Sequence, residues 1–281
     1  MTRVLVLGRH GQLARALSVT PWPVGWAAEF AGRDNLDLRR PETIKAFLSA
    51  RAPDVVINTA AYTAVDAAET DEAAAFALNA AAPGALAEAC RADGRLLIHI
   101  STDYVFAGDG GAPYGEEAAV APINVYGRSK AGGERRVLAA DPDALIARSS
   151  WLLSPDGGFV RAIRARLQAV ETVRVVCDQR GSPTSTLELA AALLKLVEAR
   201  RRGIGAGGLL HVAGAEDATW FEIAHHLAAA ADRPNAVIPV ESADYPAVAA
   251  RPADSRLAVT KLRSVYGIEL GSWTAATMET A

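Results

Sequence analysis

Tyr126 and Lys130 stand four residues apart in Tyr126-Gly127-Arg128-Ser129-Lys130, and Thr102 follows the apolar run Leu96-Leu97-Ile98-His99-Ile100. On a helix, residues four apart share a face, so this spacing predicts a phenol and an ammonium projecting into one site. A free tyrosine loses its proton near about pH 10, and a neighbouring cation favours the phenolate, bringing proton exchange with a substrate oxygen closer to neutral pH. A hydroxyl at a strand end, Thr102, can hold that same oxygen. These are the polar groups needed to reduce a carbonyl. Tyr-x-x-x-Lys recurs by chance, however, and is then a pair of packing or surface residues. The chemical reading needs a cofactor site and a strand-end partner.

The N-terminus supplies the cofactor site. Arg3-Val4-Leu5-Val6-Leu7 is a short apolar run suited to a fully buried parallel strand, and Gly8-Arg9-His10-Gly11-Gln12-Leu13-Ala14 follows it directly. Gly8 permits a tight turn, and Gly11 lets the backbone approach a pyrophosphate at the positive end of the next helix. Ala14 stands where a third glycine is common and still allows close helix-to-strand packing. A second strand is expected over Trp26-Ala27-Ala28-Glu29-Phe30, and the following Gly32-Arg33-Asp34 should face the adenosine ribose. Arginine there pairs with a 2′-phosphate and a carboxylate prefers a free 2′-hydroxyl. With both present, the expected cofactor is NADPH through Arg33, with NADH possible; solvated loop charges are the alternative.

Strands and helices alternate. Strand candidates at 54–58, 95–100 and 144–147 are separated by helical stretches near 41–51, 70–92 and 127–140, the pattern of a parallel sheet wound on both faces. Thr59-Ala60-Ala61-Tyr62-Thr63, Ser101-Thr102-Asp103 and Arg148-Ser149-Ser150-Trp151 each lie just after a strand and should converge on one cleft. After Trp151 the alternation is less regular: a helix near 157–169, a strand at Val173–Val176, another helix and a strand at 208–212. The expected fold class is α/β, a Rossmann-like doubly wound parallel sheet with a smaller C-terminal substrate-binding lobe. The NAD(P)-binding part takes 1–150 with returning segments from about 178–215, and 151–177 with 216–281 form mainly the lobe. The loop Arg251-Pro252-Ala253-Asp254-Ser255-Arg256-Leu257 could meet a substrate phosphate or pair with acids.

At 281 residues, 51% hydrophobic and 22% charged, the chain can bury a large core. A net charge of -3 and the lack of a basic tract give no case for nucleic acid or an anionic membrane surface. Met1-Thr2-Arg3 runs straight into the first strand and no apolar stretch nears membrane-spanning length, so a cytoplasmic protein is expected. Cys90 and Cys177 read as buried free thiols, and the five histidines show no ligand spacing, so no metal site is expected.

Several motifs in order then carry a resemblance: Gly8-Arg9-His10-Gly11-Gln12-Leu13, Asn58-Thr59-Ala60-Ala61-Tyr62-Thr63-Ala64-Val65-Asp66, Ser101-Thr102-Asp103-Tyr104-Val105-Phe106, Asn124-Val125-Tyr126-Gly127-Arg128-Ser129-Lys130, Arg148-Ser149-Ser150-Trp151 and Asp178-Gln179-Arg180-Gly181-Ser182-Pro183-Thr184. Through most of its length the chain resembles the dTDP-4-dehydrorhamnose reductases of the extended short-chain dehydrogenase/reductase superfamily. The resemblance implies a catalytic group of Thr102, Tyr126 and Lys130. It implies a deoxysugar pocket lined by Thr102, Asp103 and Trp151, the last as a flat apolar wall. It places Gly11, Gln12, Leu13, Asp37, Leu38, Ala61, Tyr62 and Thr63, next to Gly8 and Ala60, around the dinucleotide, with Tyr126 and Lys130 at its nicotinamide ribose. The implied substrate is a dTDP-linked 6-deoxy keto-sugar reduced at C4. Members that pair through a metal bridged by glutamates carry one in the first helix; Arg15 and Ala16 stand there here, and Leu187 occupies another such position, so a monomer or weak homodimer is expected. Two alternatives stay open: a reductase or epimerase of another nucleotide-linked keto-sugar, and a regulatory subunit like that of methionine adenosyltransferase.

Overall fold

A computed structural model describes residues 1–111, 113–169 and 172–278, with the side chain of Met278 left out. Five strands come first: β1 (Thr2–Leu7), β2 (Trp26–Ala31), β3 (Val55–Asn58), β4 (Leu96–Thr102) and β5 (Leu145–Ser149). A sixth, Gly208–His211, returns after the lobe-forming segments, and all six pair in parallel in the order sixth, β5, β4, β3, β1, β2.

Alternation along each strand divides the core into two layers. Val4 and Val6 of β1 face one side with Val55, Ile57, Ile98 and Leu145, under Leu13 and Leu17 of helix Gln12–Val19 and Leu189, Leu193 and Leu196 of helix Thr186–Arg201. Leu5 and Leu7 face the other side with Val56, Leu97 and Ile146, under Ile44, Leu48, Leu86, Cys90 and Val137. Both faces being covered, β3 begins as the apolar run Val55-Val56-Ile57 and β5 as Leu145-Ile146-Ala147.

The helical run Glu72–Ala92 is long and apolar enough to cross a membrane, but Ala82, Leu86, Ala87, Ala89 and Cys90 within it pack in the second core layer. It carries a π turn over Ala77–Ala81 just before Pro83, whose ring removes the N–H that the Asn79 carbonyl would otherwise accept. Cys90 is buried as expected, whereas Cys177 is only half-buried; both are free thiols.

A third apolar cluster lies outside the sheet. Leu153, Val160, Ile163, Leu167, Ile223 and Leu227 pack with Val173, Val175 and Val237, and the strands Val173–Val176 and Val237–Val240 pair in parallel. Helix Trp220–Ala230 is started by a capping box: Thr219 Oγ1 accepts from Glu222 N–H at 3.1 Å, and Glu222 Oε2 accepts from Thr219 N–H at 2.6 Å.

Because β1 pairs β2 on one side and β3 on the other, the direction of winding reverses between β1 and β3. A crevice opens beyond the carboxyl ends of strands at such a point.

Candidate active site

A cavity of about 570 Å³ occupies that crevice. Thr102, the last residue of β4, reaches it with its backbone extended, and its Oγ1 accepts the Tyr104 N–H at 3.2 Å and donates to Asp103 Oδ1 at 3.0 Å. Tyr126 and Lys130 come from helix Val125–Ala140. Asn124 caps that helix by accepting the Gly127 N–H at 2.7 Å, and its Nδ2 donates to the Ala250 carbonyl at 2.8 Å, so one side chain sets the start of the helix and ties down the C-terminal loop. The Val125 N–H, another unsatisfied donor of the first turn, goes to Glu69 Oε1 at 2.8 Å. Helical spacing then brings the phenol and the amine to the cavity together, as the sequence predicts.

The electrostatics depart from expectation. Burial pushes Tyr126 up to about 12; a hydrogen bond with Thr102 offsets part of that rise, and the Asp103 carboxylate adds to it. Lys130 is not the group that lowers the phenol in this arrangement, because its Nζ is turned to β4 and donates to the Ile100 carbonyl at 2.6 Å. Burial lowers Lys130 itself to about 8, with Glu134 one turn on opposing the shift. Asp103, 2% exposed, is raised to about 6 by burial, against hydrogen bonds donated by Ser255 at 2.6 Å, Ser150 at 3.0 Å and Thr102. Its carboxylate knots together the ends of β4 and β5 and the loop Arg251–Leu257.

On the other side of the cavity lies a glycine turn leading into a helix, of a kind that could hold a dinucleotide. Gly8, at φ +96°, leaves β1 in a conformation that favours glycine, and a Cβ there would stand 2.7 Å from Thr59 Oγ1 and 2.8 Å from the Ala60 nitrogen. Gly11 caps the helix starting at Gln12, and both residues line the cavity. Leu13, Arg33, Asp37, Leu38, Ala60, Ala61 and Thr63 also line it. Of the three arginines at the ribose end, Arg39 is bound bidentately by Asp37 at 2.9 and 2.6 Å and Arg9 by Asp34 at 2.8 Å, while Arg33 keeps only a 3.9 Å approach to Asp37. Arg33 is therefore the least committed cation for a 2′-phosphate. The Arg39 contact holds Asp37 down at about 2.

Two expectations change. Tyr62 does not line the cavity; its ring packs with Phe76, Val125 and Tyr126 behind it. Trp151 does line the cavity, yet its ring offers no open flat wall. Trp220 stacks on it at 3.8 Å between centroids and 7° between planes, and Gly181 lies against its other face. Trp151 sits at φ +42°, a left-handed conformation held by this sandwich. Trp220, half-buried and itself at the cavity, is the apolar surface the sequence reading missed; its one signal is a Thr-x-x-Glu cap next to an aromatic. Also missed were Asn79, which brackets the Tyr62 backbone through an accepted N–H at 2.7 Å and a donated bond at 3.0 Å, and the buried pair Glu134–Arg148 at 2.7 Å beneath the floor. No cluster of metal-ligating side chains occurs among the described residues.

A sequence model of the family described as RmlD substrate binding domain matches residues 1–281. A "probable dTDP-4,6-dihydroxy-2-methyloxan-3-one 4-ketoreductase" of Streptomyces antibioticus is 41% identical over 99% of this chain and 94% of its own length. A dTDP-4-dehydrorhamnose reductase of Sinorhizobium fredii is 38% identical over 98% of this chain and 95% of its own. The crystal structure of dTDP-4-dehydrorhamnose reductase from Bacillus anthracis in complex with NADP superposes with a TM-score of 0.92 at 33% identity, covering 99% of this chain and 98% of that one.

Proposed function

The chain belongs to the RmlD family, and on that premise we propose that it transfers hydride from NADPH, with NADH as a possible substitute, to the C4 ketone of dTDP-4-dehydro-6-deoxy-L-mannose, giving dTDP-L-rhamnose. The observation that carries this reading is the convergence of Thr102, Tyr126 and Lys130 on the same cavity as the Gly8–Leu13 cradle. The residues fit a dinucleotide: Gly8 makes a tight turn that a Cβ, driven into Thr59 and Ala60, would distort, and Arg33 stands ready for a 2′-phosphate. When bound, the cofactor supplies hydride to the ketone carbon.

The chain's own groups manage the oxygen. The Tyr126 hydroxyl holds the ketone oxygen, joined by Thr102 Oγ1 once its proton turns from Asp103 Oδ1 to the substrate, and such donors stabilise developing oxyanion charge by about 3–4 kcal/mol each in other enzymes. Tyr126, which burial keeps protonated well past neutral pH, donates the proton to that oxygen. Lys130 replaces the proton and holds the ribose. Asp103, itself held by Ser150 and Ser255, fixes Thr102, and Trp151 with Trp220 bounds the sugar side. In this reading the segments 151–177 and 216–281 mainly form the substrate lobe on the dinucleotide-binding part, and the enzyme is a cytoplasmic monomer or weak homodimer with no nucleic-acid or membrane partner.

The test is to follow NADPH and NADH oxidation with the keto-sugar generated enzymatically, and to identify the product. Oxidation giving dTDP-L-rhamnose is expected, and Tyr126→Phe should lower turnover at least ~10²-fold while leaving cofactor binding intact. Near wild-type turnover in that variant removes Tyr126 as the acid. The Streptomyces antibioticus relative favours a second reading, 4-ketoreduction of another dTDP-linked deoxysugar. Cofactor binding without oxidation of the rhamnose precursor would select it.

A further inference from the structure

We propose that His99 is a positioning residue for Lys130: held by Asn58 with its proton on Nε2, the ring disposes Lys130 to give up its proton to the reaction. The inference rests on Lys130 working with Tyr126 as described above.

The argument begins at Asn58, the last residue of β3 and 1% exposed. Its Oδ1 accepts the Ala60 N–H at 3.1 Å, which fixes the amide so that Nδ2 faces His99 Nδ1, also at 3.1 Å. An amide N–H can only donate, so Nδ1 must accept, and the proton of a neutral imidazole then lies on Nε2. His99 is fully buried, and burial together with Lys130 holds its pKa well below the ordinary histidine value, so the ring is neutral. Nε2 lies 3.4 Å from Lys130 Nζ.

An ammonium there would set one donor against another. A neutral amine resolves the conflict: it accepts from His99 Nε2–H, donates to the Ile100 carbonyl at 2.6 Å, and keeps one N–H for the cavity. Other charges near Lys130 do not reverse this. Glu134, one turn on, favours the ammonium, but its carboxylate is engaged by Arg148 of β5 at 2.8 and 2.7 Å and by Ser101 of β4 at 2.6 Å. Asp103 is taken up by Ser150, Ser255 and Thr102. Tyr126, one turn back, is neutral until well above physiological pH. Lys130 thus passes its proton to the Tyr126 phenolate after each reduction and regains one from solvent, with no other reactant consumed.

The chain has four lysines, so [ε-¹³C]lysine NMR resolves Lys130 in the cofactor-free protein, its signal assigned by loss in Lys130→Met. Wild-type Lys130 should titrate near 8. His99→Gln can turn its amide oxygen to Nζ, and Asn58→Asp accepts the proton of Nδ1 and frees Nε2 as an acceptor. Each variant should raise the Lys130 midpoint by at least about one pH unit, a tenfold change in proton affinity, and carry the alkaline limb of kcat/KM with it. An unmoved midpoint in a folded variant overturns the proposal. So does a wild-type midpoint at the ordinary lysine value, or ¹⁵N-histidine NMR showing the proton of His99 on Nδ1, and both measurements need no variant in the core. Full turnover in Tyr126→Phe would instead overturn the acid assignment and leave these titrations standing.

Discussion

Replacing Glu134 with glutamine should destabilise the protein severely, because Arg148 is 1% exposed and Glu134 is its ion-pair partner. The carboxylate accepts from Arg148 Nε at 2.8 Å, Arg148 Nη2 at 2.7 Å and Ser101 Oγ at 2.6 Å. Glutamine keeps the shape but offers one acceptor oxygen and turns an NH₂ donor toward other donors. The remaining contacts of Arg148, the Glu116 carbonyl at 3.3 Å, His211 Nε2 at 3.5 Å and the Phe106 ring at 5.0 Å, cannot neutralise its charge. Breaking one side of a buried pair costs about 3–5 kcal/mol. At roughly 2–4 °C per kcal/mol for a chain of this order of size, the midpoint of a thermal melt should fall by about 6–20 °C. Glu134→Leu combined with Arg148→Met should recover most of that loss, since an apolar pair leaves no charge stranded. A fall below about 2 °C in the single variant, or a double variant less stable than the single, would refute the argument that an uncompensated charge is the cause. Scanning calorimetry on the two variants and the wild type decides it.

Trp220→Ala removes the ring stacked on Trp151 and should raise KM for the keto-sugar roughly 2–10-fold, the size of an aromatic pair, with KM for NADPH unchanged; equal shifts in both constants would point to a general loosening instead. Gly8→Ala forces a Cβ to 2.7 Å from Thr59 Oγ1 at φ +96° and should abolish measurable NADPH binding by calorimetry.

Much of the fold was open to reading because parallel strands buried on both faces leave largely apolar runs, and Val55–Asn58, Leu96–Thr102 and Leu145–Ser149 fall within a residue or two of the candidates at 54–58, 95–100 and 144–147. The helix carrying Tyr126 was legible for a different reason, the four-residue spacing to Lys130; its start at Val125 rather than near 127, set by the Asn124 cap, was not read. Tyr62 shows the limit of motif reading, since its neighbours Ala61 and Thr63 line the cavity while its own ring turns away to pack on Tyr126.

By itself, the sequence determined which chemistry is available. The residue types and short-range spacings of Gly8 to Leu13, Thr102, Tyr126 and Lys130 follow from helical and strand periods that act over one or two turns. Only the tertiary structure decided the protonation and presentation of those groups. Asn58 and His99 are 41 positions apart, Trp151 and Trp220 are 69, and Asp103 meets Ser255 across 152. Such contacts carry no periodic signal, and the pKa of a group depends on which of them exclude water from it. That is why Lys130, expected from its spacing to act first on the tyrosine, is instead buried against β4 beside His99, three residues before Thr102.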